Sequence, residues 1–400
     1  MLFRSRVLEP ESDKGMAVTG AFDMKLADLG TVSASYIQTD PYFHRLEERF
    51  GTRENQKSFN FTADAGLEKF LPQSMKEARI PVHFARTTRS VDPRFVAQND
   101  VNVEKAAALA YQAAVDSGAT IDQANAASDY VRQRSQTRRM QTNFSIIGFK
   151  FGIPSQSWII RETLNKLVLG FSYTQEAEQS PVVRERFRWQ WDASANYALS
   201  IPPIATLRTG SWMEGLPLLN AYKDWKINFL PQSLTLSSRV TRMRRTEQSW
   251  FLNFPTPPER LFSATNSMAM QWKIAEGGLL SPTLDYTANS GSTLVPLELD
   301  SLGRQLAAGA VADRILMNEG RLIDFGTPNI FTQNFTLNFR PRLPDILNIN
   351  KFFDASGNFN TNYMWVDPLQ ADPLLRDISK RASYTNAIRV NTTLRLRALS

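Results

Sequence analysis

The feature that most constrains this chain is a strict alternation between Phe187 and Tyr197. Phe-Arg-Trp-Gln-Trp-Asp-Ala-Ser-Ala-Asn-Tyr puts an apolar or aromatic residue at every odd position and a polar one at every even position. A period of two belongs to an extended strand, whose successive side chains point to opposite faces. The run outlasts the roughly 5–6 residues of an ordinary globular strand. It reaches the roughly 9–11 residues with which a tilted strand crosses a bilayer.

The same period returns along the chain. Phe335, Leu337 and Phe339 alternate with Thr336, Asn338 and Arg340, and Phe359, Thr361, Tyr363 and Trp365 with Asn358, Asn360 and Asn362. Near the C-terminus Ile388, Val390, Leu394 and Leu396 alternate with Arg389, Asn391, Arg395 and Arg397. Further candidates run through Val32 to Tyr36, Phe59 to Leu67, Leu167 to Tyr173, Leu234 to Val240 and Met268 to Ile274. About a dozen to sixteen strands are expected by this template. The polar phase is rich in Asn, Ser, Thr, Gln and Arg, which suits a wet lumen.

Soluble β-sandwiches and propellers also alternate. Two features separate this chain from them: the length of its strands, and aromatics expected near strand ends as interfacial girdles, namely Trp158, Tyr173, Trp212, Tyr222, Trp225, Trp250 and Trp365. Bulk hydropathy does not decide the matter. The hydrophobic fraction is 42% and mean hydropathy −0.32, but barrel strands average lipid-facing and lumen-facing residues and look soluble. No stretch approaches the roughly 18 apolar residues of a membrane-spanning helix.

One segment breaks the rhythm. From Asn99 to Ser135 the chain is Ala-rich with helical spacing through Val103, Ala106, Ala107, Ala110, Tyr111 and Ala114; Gly118 reads as a stop. Thr120 with Gln123 three residues on forms a capping box for a second helix. A helical hairpin inserted between strands at 99–135 is expected, with barrel strands over 15–98 and 136–400. A one-turn helix is expected near Trp158–Thr163, and a long excursion over Gly291–Leu322, partly helical at Ala310–Leu316. The prolines at 202–203, 255–258, 368 and 373 fall between strands.

Catalytic chemistry finds no foothold. There is no cysteine, hence no thiolate nucleophile, zinc-thiolate site or disulfide. His44 and His83 have no partner at metal-ligand or triad spacing, and no phosphate-cradling glycine motif occurs. No catalytic residue, metal or cofactor is expected, and the protein is not expected to be an enzyme. The net charge of +7 is spread through strands, as in Arg184, Arg186 and Arg188, rather than gathered on a helix, so nucleic acid is not the expected partner. The opening Met-Leu-Phe-Arg-Ser-Arg has no apolar h-region of a signal peptide. Residues 1–14 are expected to be unstructured, with residues 1–6 an assembly scar.

Several strings, in order, resemble a known family: Asp28-Leu-Gly-Thr-Val-Ser33, Leu46-Glu-Glu-Arg49, Leu67-Glu-Lys-Phe-Leu-Pro72, and Ile80-Pro-Val-His-Phe84 followed by Ser90 and Pro93. Beyond the insert come Asp129-Tyr-Val-Arg-Gln-Arg134, Asn143-Phe144, Trp189 to Tyr197, Leu230-Pro-Gln-Ser-Leu-Thr-Leu236, and Asn338-Phe339 leading to Leu343-Pro344. Their order and spacing are similar to the SprA/Sov gliding-motility cell-surface proteins, outer-membrane translocons of type IX secretion in Bacteroidota. The resemblance implies a very large single-chain barrel in the cell outer membrane. It implies a lumen that conducts folded cargo proteins outward, with separate plug or gate proteins as partners. It also implies that the 400 residues are a fragment of a longer chain.

The expected fold is therefore all-β: an antiparallel transmembrane β-barrel section, open, with an inserted helical hairpin. Phe187, Trp189, Trp191, Leu394 and Leu396 are expected to face lipid, and Arg186, Arg188, Arg395 and Arg397 the lumen. Two alternatives stay open: a porin-like or TonB-dependent transporter, and a soluble extracellular adhesion or binding protein.

Overall fold

The computed structural model describes residues 14–44, 46–47, 51–97, 100–202, 205–216, 219–252, 254, 256–316, 326–343, 353–367 and 380–394. The expectations for residues 1–13 and for Arg395, Leu396 and Arg397 lie outside these.

Among these residues thirteen strands form one sheet, each hydrogen-bonded to the next in chain order. They are β1 (Ala17–Leu26), β2 (Gly30–Thr39), β3 (Glu54–Gly66), β4 (Pro81–Pro93), β5 (Thr137–Phe149), β6 (Leu167–Gln179), β7 (Val183–Ser200), β10 (Ser233–Ser249), β11 (Glu259–Lys273), β13 (Thr283–Thr293), β14 (Thr327–Phe339), β15 (Phe353–Val366) and β16 (Arg381–Leu394). Every pairing is antiparallel. Most of these strands are 13–18 residues long. They exceed what a bilayer crossing requires. β1 and β16 are the two edges, and neither pairs on its outer side among the described residues.

A three-stranded sheet, β8 (Thr206–Arg208), β9 (Lys226–Asn228) and β12 (Ala275–Glu276), stands at one end of the large sheet. Buried Asn228 ties it down: its side-chain amide donates to Lys273 O at 2.8 Å and to Glu276 Oε1 at 3.0 Å, and its backbone carbonyl accepts from Trp272 Nε1.

At the other end the inserted hairpin forms α1 (Val103–Asp116) and α2 (Ile121–Ser135). Asn102 caps α1 by accepting from the backbone N–H groups of Glu104 and Lys105. Thr120 and Gln123 close the expected capping box, and Gly118 takes φ +84, where a side chain would be strained. The small residues Ala107, Ala124 and Ser128 are buried in the hairpin. Arg132 meets Glu104 across it at 2.9 Å. The hairpin leans on neighbouring connections: Tyr130 packs edge-on to Trp250 at 5.2 Å, and Arg134 lies over Phe251.

The two expected short helices form, as α3 (Trp158–Glu162) and α5 (Ala308–Leu316), and one that was not expected, α4 (Val295–Glu298), precedes α5. Three expectations need correction. Gly291–Thr293 belong to β13, so the excursion starts at Leu294. Leu67 starts a 3₁₀ turn rather than ending β3. The aromatics do not all mark strand ends: Tyr173 is at the centre of β6, and Trp212 and Tyr222 sit in 3₁₀ turns between β7 and β10, with Trp225 nearby. There Tyr222 is buried, its hydroxyl donating to Arg342 O at 2.6 Å, and burial raises its pKa above the usual phenol value. Packing within that long connection fixes Tyr222, whereas Trp212 stays exposed.

Candidate functional site: the two faces of the sheet

Residues opposite one another in a ladder share a face, so the register sorts the sheet's side chains into two sets. On β7, Arg186, Arg188, Gln190, Asp192, Ser194 and Asn196 lie on one side, opposite Glu247, Arg245, Met243, Thr241, Arg239 and Ser237 of β10. Carried outward, the same side holds Thr62, Asn60 and Ser58 of β3, Asn289, Thr287 and Asp285 of β13, and Asn358, Asn360 and Asn362 of β15. The opposite side holds Phe187, Trp189, Trp191, Ala193 and Ala195 of β7, with Phe22 and Met24 of β1, Phe59 and Phe61 of β3, Tyr286 of β13, Phe335 and Leu337 of β14, and Ile388, Val390 and Leu394 of β16. One mostly polar and one mostly apolar face thus run across all thirteen strands, with exceptions: Arg86, Thr142, Ser238 and Asn266, near strand centres, lie on the apolar side, and Ile37, Ile147, Leu261 and Met364 on the polar one. The structure brings Phe187, Trp189, Trp191 and Leu394 together on the apolar face and puts Arg186 and Arg188 on the polar one.

The polar face is cross-linked. Arg186 bridges Glu178 at 3.0 Å and Glu247 at 2.9 Å. Glu247 also meets Arg245, which reaches Glu259 at 3.6 Å, and Arg188 lies 3.9 Å from Glu176. Asp192 accepts from Arg239 at 2.9 Å, Thr241 at 2.6 Å and Gln190 at 2.9 Å. Between β14 and β15 the charges give way to amides: Asn358 donates to Asn338 at 2.7 Å, and Asn360 to Asn334 and Thr336. On β3–β4, His83 Nδ1 and Asp64 Oδ1 are 2.6 Å apart. Sequence spacing missed that pair, because its members are direct cross-strand partners on separate strands. The signal available was phase, since both occupy the polar phase of consecutive strands. Such a face is polar, and many of its charges compensate one another. Among the described residues no group of three or more His, Asp or Glu is disposed to hold a metal.

The apolar face is mostly uncovered. Phe22, Met24, Phe59, Phe171, Leu236, Tyr384, Ile388, Val390 and Leu394 are all exposed. Among the described residues no second sheet packs on it; the other sheet is the three-stranded one at the end. One patch is covered. Phe262, Ala264, Leu294 and Val311 form a small core where the α4–α5 segment folds back, with Trp191, Val240 and Ile315 against it. At this patch Arg242, on the apolar face, pairs with buried Glu298 and lies over the rings of Trp189 and Phe262 at 5.3 and 5.2 Å. Trp191 is partly buried against this patch, its ring 6.0 Å from that of Phe262.

A single antiparallel sheet in chain order, mostly apolar on one face and mostly polar on the other, with two outer edges unpaired among the described residues, is a section of β-barrel wall carrying an inserted helical hairpin. Residues 3–106 match the family described as "Motility related/secretion protein" (SprA_N). Over those residues the chain is similar to that motility and secretion family, in line with the resemblance read from its strings. No curated protein matches it. Among solved structures it is similar to the ferric citrate transporter FecA in its unliganded form (9% identity, 97% of this chain and 55% of that one, TM-score 0.27). It is also similar to the copper transporter OprC (11%, 94% and 56%, 0.23) and the FrpB iron transporter from Neisseria meningitidis (10%, 96% and 58%, 0.23). The chain spans 55–58% of the length of these structures. The fold assignment stands on the sheet itself.

Proposed function

We propose that this chain forms part of the wall of an outer-membrane protein-conducting channel, the translocon of type IX secretion, and performs no catalysis. The observation that supports the reading is the mostly uncovered apolar face backed by a mostly polar one. Lipid is the natural cover for the first, since a bilayer accepts apolar side chains from a wall whose backbone groups are paired internally. The second would line the lumen. Its Arg, Glu, Asn and Thr side chains already satisfy one another, so passing cargo meets a surface that binds it weakly. The apolar residues Phe187, Trp189 and Leu394 then face lipid or its margin, and Arg186 and Arg188 the lumen. Secreted cargo and plug or gate proteins are the partners this reading requires.

The test is membrane fractionation of the full-length gene product with heat-modifiability on a gel, followed by its depletion. A heat-modifiable outer-membrane band, and secreted proteins trapped in the periplasm on depletion, are expected. A soluble product unchanged by heating would refute the barrel; normal secretion after depletion would refute the translocon.

A further inference from the structure

The apolar face carries one unresolved electrostatic conflict. The β10–β11 register sets Arg244 directly opposite Arg260, and like charges so placed repel. Two comparisons make the pair unusual. On the polar face Arg188 also stands opposite Arg245, but Glu176, Glu247 and Glu259 surround those two. On the apolar face Arg242 has Glu298. Arg244 and Arg260 have no acidic partner among the described residues. Their Nε atoms are both buried without a hydrogen-bond acceptor, although the side chains remain half-exposed. Leaving a buried charged donor unmatched is costly, so the site is short of an anion.

Its position says which kind. Trp189 is the cross-strand neighbour of Arg244 on β7. Tyr173 and Phe171 continue the apolar surface on β6. Toward the hairpin end the same face turns polar at Thr246. Tryptophan and arginine at the end of an apolar band are where lipid headgroups lie. A guanidinium fork fits phosphate in bidentate fashion. Building on the membrane reading above, we propose that Arg244 and Arg260 form a binding site for the phosphate of an outer-membrane lipid, held beside Trp189 with its acyl chains over the neighbouring apolar surface.

The test uses full-length protein extracted from membranes, with native mass spectrometry of adducts formed with bisphosphorylated lipid A, with fully dephosphorylated lipid A, and with inorganic phosphate as competitor. Arg244→Gln/Arg260→Gln should weaken retention of bisphosphorylated lipid A at least about tenfold, the loss of one charge-assisted contact. Arg389→Gln, on the polar face of β16, should leave retention unchanged. Arg244→Lys/Arg260→Lys, which keeps charge but not the fork, should retain an intermediate amount; it serves as the reading if the Gln variant fails to fold. Equal retention of dephosphorylated lipid A, or undiminished binding by a heat-modifiable double variant, would overturn the proposal. So would displacement by inorganic phosphate at equal concentration, which would indicate a free-anion site. Full-length protein absent from the membrane fraction would fail the barrel reading instead, and a heat-modifiable barrel without the phosphate preference would fail this inference alone.

Discussion

Removing the carboxylate of Glu298 should release the α4–α5 segment from the sheet. The Glu298 side chain is 5% exposed and that of Arg242 15%, so Glu298→Ala leaves a guanidinium in a site that water barely reaches. Breaking a buried pair by deleting one partner costs about 3–5 kcal/mol. The rings of Trp189 and Phe262 stay beneath the Arg242 cation and hold part of it, which puts the expected loss near the lower bound, about 3 kcal/mol. Since about 1.4 kcal/mol is a factor of ten, amides of α5 that exchange through local undocking should lose roughly a hundredfold in protection. The assay is hydrogen exchange with mass spectrometry on the full-length protein, read on a peptide spanning Val311–Leu316. The double replacement Arg242→Met/Glu298→Leu should stay within about 1 kcal/mol of the parent, because apolar groups of similar volume replace a buried pair at little loss. Unchanged protection in Glu298→Ala, or a double variant as damaged as the single one, would refute the argument that desolvated charge, rather than the Phe262–Val311 contact, governs docking.

Other outcomes test other links. Ala288→Arg, on the apolar face of β13, should cost about 2–4 kcal/mol in urea unfolding from bilayers if that position is near the midplane, whereas Asn289→Arg on the polar face should cost little. Thr120→Ala should destabilise the helical hairpin by about 0.5–2 kcal/mol through loss of its cap, seen as faster exchange in α2. The hydrogen bond from Arg132 holds Glu104 below the usual carboxylate range. A depressed carboxylate contributes stability that is present above its unfolded pKa and lost as pH falls through the folded one. Proteolysis of the hairpin should accordingly rise on acidification through that range and be pH-independent there in Glu104→Gln.

How much of this was legible depends on the element. Alternation in β7, β14 and β15 could be read directly, because the period of two is local. The sidedness of the whole sheet followed from it: a strand slipped by one residue would put Phe335 or Trp191 among asparagines and arginines, so each strand's own pattern fixes the parity of its partner. Capping at Thr120 was legible for the same local reason. What escaped were features made by distant residues. The His83–Asp64 pair joins two strands, and the fold-back of α4–α5 onto Phe262 and Ala264 joins an excursion to a strand face. Leu294, Val295 and Leu297 followed by Val311 and Ile315 were an apolar cluster with no strand to serve. That was the available hint. The aromatics between β7 and β10 misled because bulky rings also pack connections, as Tyr222 does.

Thirteen strands side by side also fix a length. At about 4.8 Å per strand the sheet measures roughly 60 Å along its hydrogen-bond direction, before tilt stretches it further. Rolled into a cylinder with nothing added, that width would give a backbone diameter of roughly 20 Å, and side chains would take up much of the bore. Each further strand laid against β1 or β16 adds to the circumference, and bore area grows as its square. Among the described residues nothing pairs with the outer sides of β1 and β16, so under the channel reading proposed above the strands laid there would set what size of object the pore admits.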